Sequence, residues 1–328
     1  MPATLFYDAD TDPGLIQGRR VAVLGFGAQG RAQAQNLRDS GVAVTVGLRA
    51  ESASRPAAEA AALPVASPAD AVAGADVVVM LVPDEVQPAV YAETVAPALK
   101  PGAALVFAHG FNIHYRRIVP RTDLDVVMVA PNGIGEQVRE QYRAGHGVPG
   151  LIAVHQDASG GARALALSYA WAQGHGRAGI IESGFREETE TDLFAEQAVL
   201  CGGLTHLIES GFETLTEAGY TPELAYFCCL HEVKLMADMI YQRGIAGMRE
   251  SISATAEFGD YTRGPRVIGT ETRAAMRALL DEIRRGEFAA ELAHEIAAGK
   301  PVIRAGRATA RAALIERVGA ALRLRMHR

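Results

Sequence analysis

Arg20-Val21-Ala22-Val23-Leu24-Gly25-Phe26-Gly27-Ala28-Gln29-Gly30 sets an apolar run directly before three glycines, and an Ala- and Gln-rich helical stretch, residues 31–38, follows at once. A glycine motif between a strand and a helix carries more weight than the same motif in isolation. The first glycine permits a tight turn, the second lets the backbone approach a pyrophosphate, and the third allows the helix to pack closely on the strand. Amides at the helix start then face the anion. The competing reading is an ordinary glycine-rich turn, and the position in the first βαβ unit weighs against it. Gly25, Phe26, Gly27, Ala28, Gln29 and Gly30 are therefore the candidate cofactor loop.

Outward from that loop, short apolar runs alternate with Ala-rich amphipathic segments, the pattern of strands and crossover helices in a parallel sheet. Strands are expected over residues 20–24, 43–46, 76–81, 104–108, 125–129, 151–154 and 178–181. Their β-branched content without strict alternation suits strands covered on both faces. After Glu182 the texture changes to long periodic stretches rich in Leu, Ala and Glu. Helices are expected over 190–200, 203–218, 223–243, 271–285 and 288–298, with Thr221-Pro222 starting the third. The domains are placed at 1–183 and 184–328, with no Gly/Ser linker between them.

A free ribose 2′-hydroxyl would call for Asp or Glu at the end of the second strand. That strand instead ends Gly47-Leu48-Arg49, followed by Glu51, Ser52, Ser54 and Arg55. Arg49 with the hydroxyls of Ser52 and Ser54 suits a 2′-phosphate, so NADPH is favoured over NADH. Glu51 argues for the alternative, a solvated polar turn.

The 328 residues, 49% of them apolar, exceed what one core usually serves. A formal charge of −6 argues against a nucleic-acid binder, which needs a net basic surface. No run is long and apolar enough for a membrane span, and the N-terminus has no signal pattern, so a cytoplasmic protein is expected. Cys201, Cys228 and Cys229 form no disulfide framework and read as reduced thiols.

Glu187-Glu188-Thr189-Glu190-Thr191-Asp192-Leu193-Phe194-Ala195-Glu196 is dense in carboxylates. Asp192 and Glu196 stand four apart, so a helix puts both on one face, close enough for one hard cation. A solvated acidic helix start competes with that reading. A second polar set, His231, Glu232 and Lys234, interrupts an otherwise apolar stretch.

With these pieces assembled, the sequence resembles ketol-acid reductoisomerase of the short class over nearly its whole length. The resemblance rests on the glycine loop with Asn36-Leu37, Gly47-Leu48-Arg49, Phe107-Ala108-His109-Gly110-Phe111-Asn112-Ile113, residues 153–160, 187–204, Ala218-Gly219-Tyr220, 251–261 and Gly264-Pro265-Arg266-Val267-Ile268. It implies a Rossmann-like α/β N-terminal domain and an all-helical, knotted C-terminal domain that interlocks with a second subunit. It also implies NADPH and a two-magnesium site shared between subunits. Residue by residue, Asp192 and Glu196 match one pair of metal ligands, Glu232 the second-subunit carboxylate, Ser253 the serine on the substrate carboxylate, and His109 the histidine near the nicotinamide. In that family acetolactate undergoes a magnesium-assisted alkyl shift and is then reduced by NADPH.

The chain departs from the family pattern at two positions. The loop Ala-Pro-Lys-Gly-Pro-Gly-His reads Ala130-Pro131-Asn132-Gly133-Ile134-Gly135-Glu136, so an amide replaces an ammonium. One helical turn before Glu232, where the family carries a metal-binding glutamate, stands Cys228. A thiol is a soft ligand, whereas magnesium takes oxygen donors. One magnesium site is expected to persist and the second to weaken. The leading expectation is a diverged reductase acting on a keto acid or cyclic imine. An ordinary reductoisomerase and a catalytically silent NADPH-binding partner are the alternatives.

Overall fold

The computed structural model describes residues 3–326. Among these, nine strands occur: β1 Leu5–Phe6, β2 Arg20–Leu24, β3 Ala43–Gly47, β4 Val65–Ala66, β5 Val77–Met80, β6 Ala104–Phe107, β7 Asp125–Pro131, β8 Gly150–Gln156 and β9 Ile180–Glu182. They form one sheet in the order β1-β9-β8-β7-β6-β5-β2-β3-β4. The six strands from β4 to β7 are joined by five parallel pairings, as expected. The sheet as a whole is mixed, which corrects the all-parallel expectation: β8 runs antiparallel to β7 and β1 antiparallel to β9. The cause lies in the connection after β7. Its helix, Gly135–Arg143, does not cross the sheet but packs on the helix Ala28–Asp39 through Val138 and Ala32, and the chain re-enters the sheet from the edge it left. The two-residue strands β1 and β4 are too short to carry a hydrophobic pattern.

Alternate residues of the central strands feed two cores. Val21, Val23, Val77, Val79, Val106 and Val127 pack on one side, while Ala22, Leu24, Val78, Met80, Leu105 and Met128 pack on the other. Burying both faces is why these strands read as unbroken apolar runs. Each fully buried valine contributes about 2 kcal/mol of burial. Leu24 pairs with both Gly47 and Met80, and Met80 pairs with Phe107. The loops after β2, β3, β5 and β6 therefore emerge together at one edge. From β2 the chain first builds β3 and β4 on one side and then β5 on the other, so a crevice opens at that switch point, where open α/β sheets bind ligands.

The chain divides into two compact units, Met1–Thr189 and Glu190–Arg328. The cut falls after Ser183 because the first turn of the helix Phe185–Ala195 packs with the sheet: Phe185 is buried and meets the Phe107 ring edge-on at 6.4 Å. The second unit contains only helices among its described residues. Gly202–Glu217, Thr270–Arg285 and Glu287–Ala297 lie within a residue or so of expectation. Thr221 stands at the N-cap position of the helix that Pro222 opens, without a side-chain capping bond. The expected 223–243 helix is Pro222–Tyr226, a π turn Phe227–His231, and Glu232–Ser251, kinked at Gly244 with φ 70°. Ala254–Val267, Pro301–Ala312 and Leu314–Met326 are helices that periodicity did not reveal. Among the described residues no helix is long and apolar enough to cross a membrane.

Candidate active site

Each glycine of the 25–30 loop has a separate steric reason. Gly25 takes φ 100°, and a Cβ there would stand 2.6 Å from the Leu81 carbonyl oxygen. At Gly30 a Cβ would meet the Gly25 carbonyl oxygen, at a separation no side chain tolerates. Gly27, the N-cap of Ala28–Asp39, has open space where its Cβ would be. The amides of Ala28, Gln29 and Gly30 open this helix, and first-turn amides lack intrahelical acceptors. An open cradle lined by such donors fits a pyrophosphate.

At the end of β3, Arg49 is exposed and lies 4.0 Å from the Glu51 carboxylate, a solvated pair. Ser52 and Ser54 are half-buried, and the Ser52 Oγ accepts from the Ser54 amide at 3.3 Å. Both hydroxyls thus stand on the same turn as Arg49.

His109 follows β6 with only Ala108 between. Its Nδ1 lies 2.8 Å from Glu188 Oε1, while Glu188 Oε2 accepts the Gly110 amide at 2.7 Å. The Glu188 side chain is almost wholly buried. The helix Phe185–Ala195 approaches this loop so closely that a Cβ on Gly110 would sit 2.5 Å from Thr189 Oγ1. With Glu188 Oε1 accepting from Nδ1–H, this bond fixes the tautomer and plane of the His109 ring. Asp84, on the loop after β5, joins this group: burial holds its carboxyl above the usual range, against the pull of His109, with Glu85 and Glu188 adding repulsion. Asn112 Nδ2 donates to the Asp84 carbonyl at 3.0 Å and to Gln87 Oε1 at 2.9 Å, which holds the two loops together.

Glu188 and Asp84 were missed by sequence reasoning. Glu188 stood inside the acidic run but was indistinguishable there from its neighbours. Asp84 had one available signal, its place just past the carboxyl end of a central strand.

The unit boundary lies inside an unbroken helix, so Asp192 follows Glu188 by one helical turn. Both Glu188 oxygens accept hydrogen bonds, one from the Gly110 amide and one facing His109, so His109 and Glu188 form a histidine–carboxylate pair. Asp192 and Glu196 are both exposed, and their carboxylates are oxygen donors of the kind a hard cation takes.

Asn132 directly follows β7, is exposed, and donates its backbone N–H to the Pro149 carbonyl at 2.9 Å. Its loop rests on the glycine loop: Gln29 Nε2 donates to the Gly133 carbonyl at 3.0 Å.

In the second unit, Glu196 opens a π turn, Glu196–Leu200, and Cys228 lies exposed in the π turn Phe227–His231, just before Glu232. Such turns concentrate at functional sites because they re-aim side chains. His231 lies edge-on to Phe227 at 5.4 Å, and Lys234 pairs with Asp238. Ser253 is the N-cap of Ala254–Val267, its Oγ accepting from the Ala256 amide at 3.2 Å.

Residues 15–179 match the family model described as acetohydroxy acid isomeroreductase, NADPH-binding domain, and residues 185–328 match that of the ketol-acid reductoisomerase C-terminal domain. An NADH-preferring ketol-acid reductoisomerase from an uncultured archean is 45% identical, with 98% of each chain covered and a TM-score of 0.95. A semialdehyde dehydrogenase NAD-binding protein from Cupriavidus necator shares 19% identity, covering 81% of this chain and 99% of that one at a TM-score of 0.62. A pyrroline-5-carboxylate reductase from Coxiella burnetii shares 15%, over 81% and 98%, at 0.56. The last two likenesses are of fold alone.

Proposed function

The chain belongs to the ketol-acid reductoisomerase family, and from that premise we propose that it is an NADPH-dependent reductase of a small keto acid or cyclic imine in which alkyl migration is weakened. One observation carries this reading: an amide, Asn132, and a thiol, Cys228, occupy the two places where the family pattern has an ammonium and a carboxylate. Alkyl migration needs charge stabilisation on two oxygens of the substrate, whereas reduction needs only a polarised C=O or C=N beside the nicotinamide. The loss therefore falls mainly on migration.

The 25–30 loop holds the pyrophosphate through its helix-start amides, and Arg49, Ser52 and Ser54 hold the 2′-phosphate. When bound, the reduced nicotinamide supplies a hydride to the acceptor carbon. His109, oriented by Glu188, exchanges the accompanying proton through Nε2, which yields an alcohol or an amine. Asp192 and Glu196 would hold a magnesium ion through oxygen, and that ion would polarise the acceptor. Ser253, at a helix N-terminus, receives the substrate carboxylate.

A second reading of cofactor choice has its own support, since Glu51 stands beside Arg49 and the 45% identical relative is named NADH-preferring. NADPH is nevertheless expected to bind at least about tenfold more tightly than NADH, because a guanidinium with two hydroxyls offers charge-assisted bonds to the 2′-phosphate. Arg49→Ala should remove most of that preference and leave NADH binding intact. Equal dissociation constants in the unaltered protein would reject the assignment.

We further propose a homodimer or larger homo-oligomer with a knotted C-terminal domain, in which Asp192 and Glu196 of one copy face Glu232 and Ser253 of another. The helical unit supports this, since it leaves Tyr241 92%, Phe258 65% and Ile245 56% exposed, whereas Phe212, Ala225, Tyr226 and Ile315 form a small core. Apolar surface of that kind marks an interface. Sedimentation at micromolar protein should show at least a dimer, and a fully active monomer would exclude the shared site.

A further inference from the structure

The bond from Gln29 to Gly133 is the last link of a chain that starts in the buried core and ends partly exposed. The hydroxyl of Tyr169, fully buried, donates to Gln33 Oε1 at 2.8 Å. Gln33 Nε2 donates to Gln29 Oε1 at 3.2 Å, and Gln29 Nε2 donates to the Gly133 carbonyl at 3.0 Å. The Gln33 backbone carbonyl accepts from Gln173 Nε2 at 3.3 Å, which anchors the far end. Rotating the Gln29 amide would set oxygen against the Gly133 carbonyl and N–H against the Gln33 amide, so its orientation is fixed. Bonds aligned head to tail in this way polarise one another.

A second contact involves the same two loops. A Cβ on Gly135 would collide with the Ala28 carbonyl oxygen and lie 2.9 Å from the Gln29 nitrogen. Gly135 thus rests directly on the Ala28–Gln29 peptide, whose N–H is among those that would face a pyrophosphate. The helices behind the loops are locked, since Arg139 donates to Asn36 Oδ1 at 2.8 Å and Asp39 Oδ2 at 2.6 Å. With both helices held, the Ala28–Gln29 peptide and the loop 132–135 share a contact and a hydrogen bond.

We propose that Gln29 is a positioning residue that couples occupancy of the dinucleotide seat to the geometry of the Asn132 loop. The inference rests on the proposed function, in which the 25–30 loop holds the pyrophosphate and Asn132 borders the reacting centre. Dinucleotide binding orders the Ala28–Gln29 peptide, Gln29 and Gly135 carry that order across, and Asn132 is presented in one arrangement only when the cofactor is in place.

The test compares the unaltered protein with Gln29→Met, which keeps length and helix propensity but cannot donate to Gly133. Amide hydrogen exchange over residues 132–136 is followed with and without NADPH, and the NADPH dissociation constant is measured on the same samples. In the unaltered protein NADPH should slow exchange there about tenfold, the scale of one or two hydrogen bonds. In Gln29→Met the slowing, read at saturating NADPH, should fall below about twofold. A residue that served only to brace the fold would raise exchange in both states alike. Full NADPH-dependent slowing in Gln29→Met would overturn the proposal. So would bound NADPH that leaves these amides unaffected in the unaltered protein. Failure of the unaltered protein to bind NADPH at all would overturn the cofactor reading together with it.

Discussion

Asn132→Lys combined with Cys228→Glu is expected to raise turnover of acetolactate by about a hundredfold or more, the usual worth of a lost cation and a lost metal ligand. Both positions are exposed, so the replacements introduce charge without burying it. The lysine returns an ammonium on the loop that Gln29 ties to the glycine loop, and the glutamate returns an oxygen donor to the π turn before Glu232. The unaltered protein should oxidise NADPH poorly on acetolactate with magnesium. It should do better on the rearranged 3-hydroxy-2-keto acid, or on a carboxylated cyclic imine, since both ask only for hydride and a proton. Equal rates on acetolactate and the rearranged compound would return the protein to the ordinary reductoisomerases. NADPH binding without turnover of any of the three would leave a silent cofactor binder instead.

Glu188→Gln should lower reduction of the best substrate by about two to three orders of magnitude while leaving NADPH binding unchanged. The replacement keeps the volume of the side chain, and the Gly110 amide still requires an acceptor, so the new amide oxygen takes that position. The amide N–H₂ is then left facing His109 Nδ1, which must become an acceptor. The ring proton moves to Nε2 and the tautomer is reversed. Glu188→Asp should recover part of the activity, because a carboxylate returns but one methylene short. A Glu188→Gln protein that kept more than half its rate would remove His109 from the proton path.

Much of the first unit was legible because its information is local. The apolar run 20–24 coincides with β2, and the glycine loop after it has the geometry its spacing implied. The pattern weakened where elements depart from a regular period. The π turns at Glu196 and Phe227 insert an extra residue into helices that read as continuous. Pro265 and two glycines concealed the helix Ala254–Val267, which Ser253 caps. The antiparallel return of β8 was hidden too, since a helix between two strands ordinarily signals a crossover.

The sequence by itself determined which chemical groups this protein has: three glycines able to take a pyrophosphate, a guanidinium with two hydroxyls after β3, an amide at 132 and a thiol at 228. Only the tertiary structure decided which of them meet. It chose Glu188 from a run of carboxylates as the partner of His109, 79 residues away, and set Gly133 and Gly135 on the glycine loop more than a hundred residues earlier. The physical reason is that helix and strand periods follow from neighbours along the chain, whereas these pairings exist only once the sheet has aligned the ends of β2, β5, β6 and β7 at one edge.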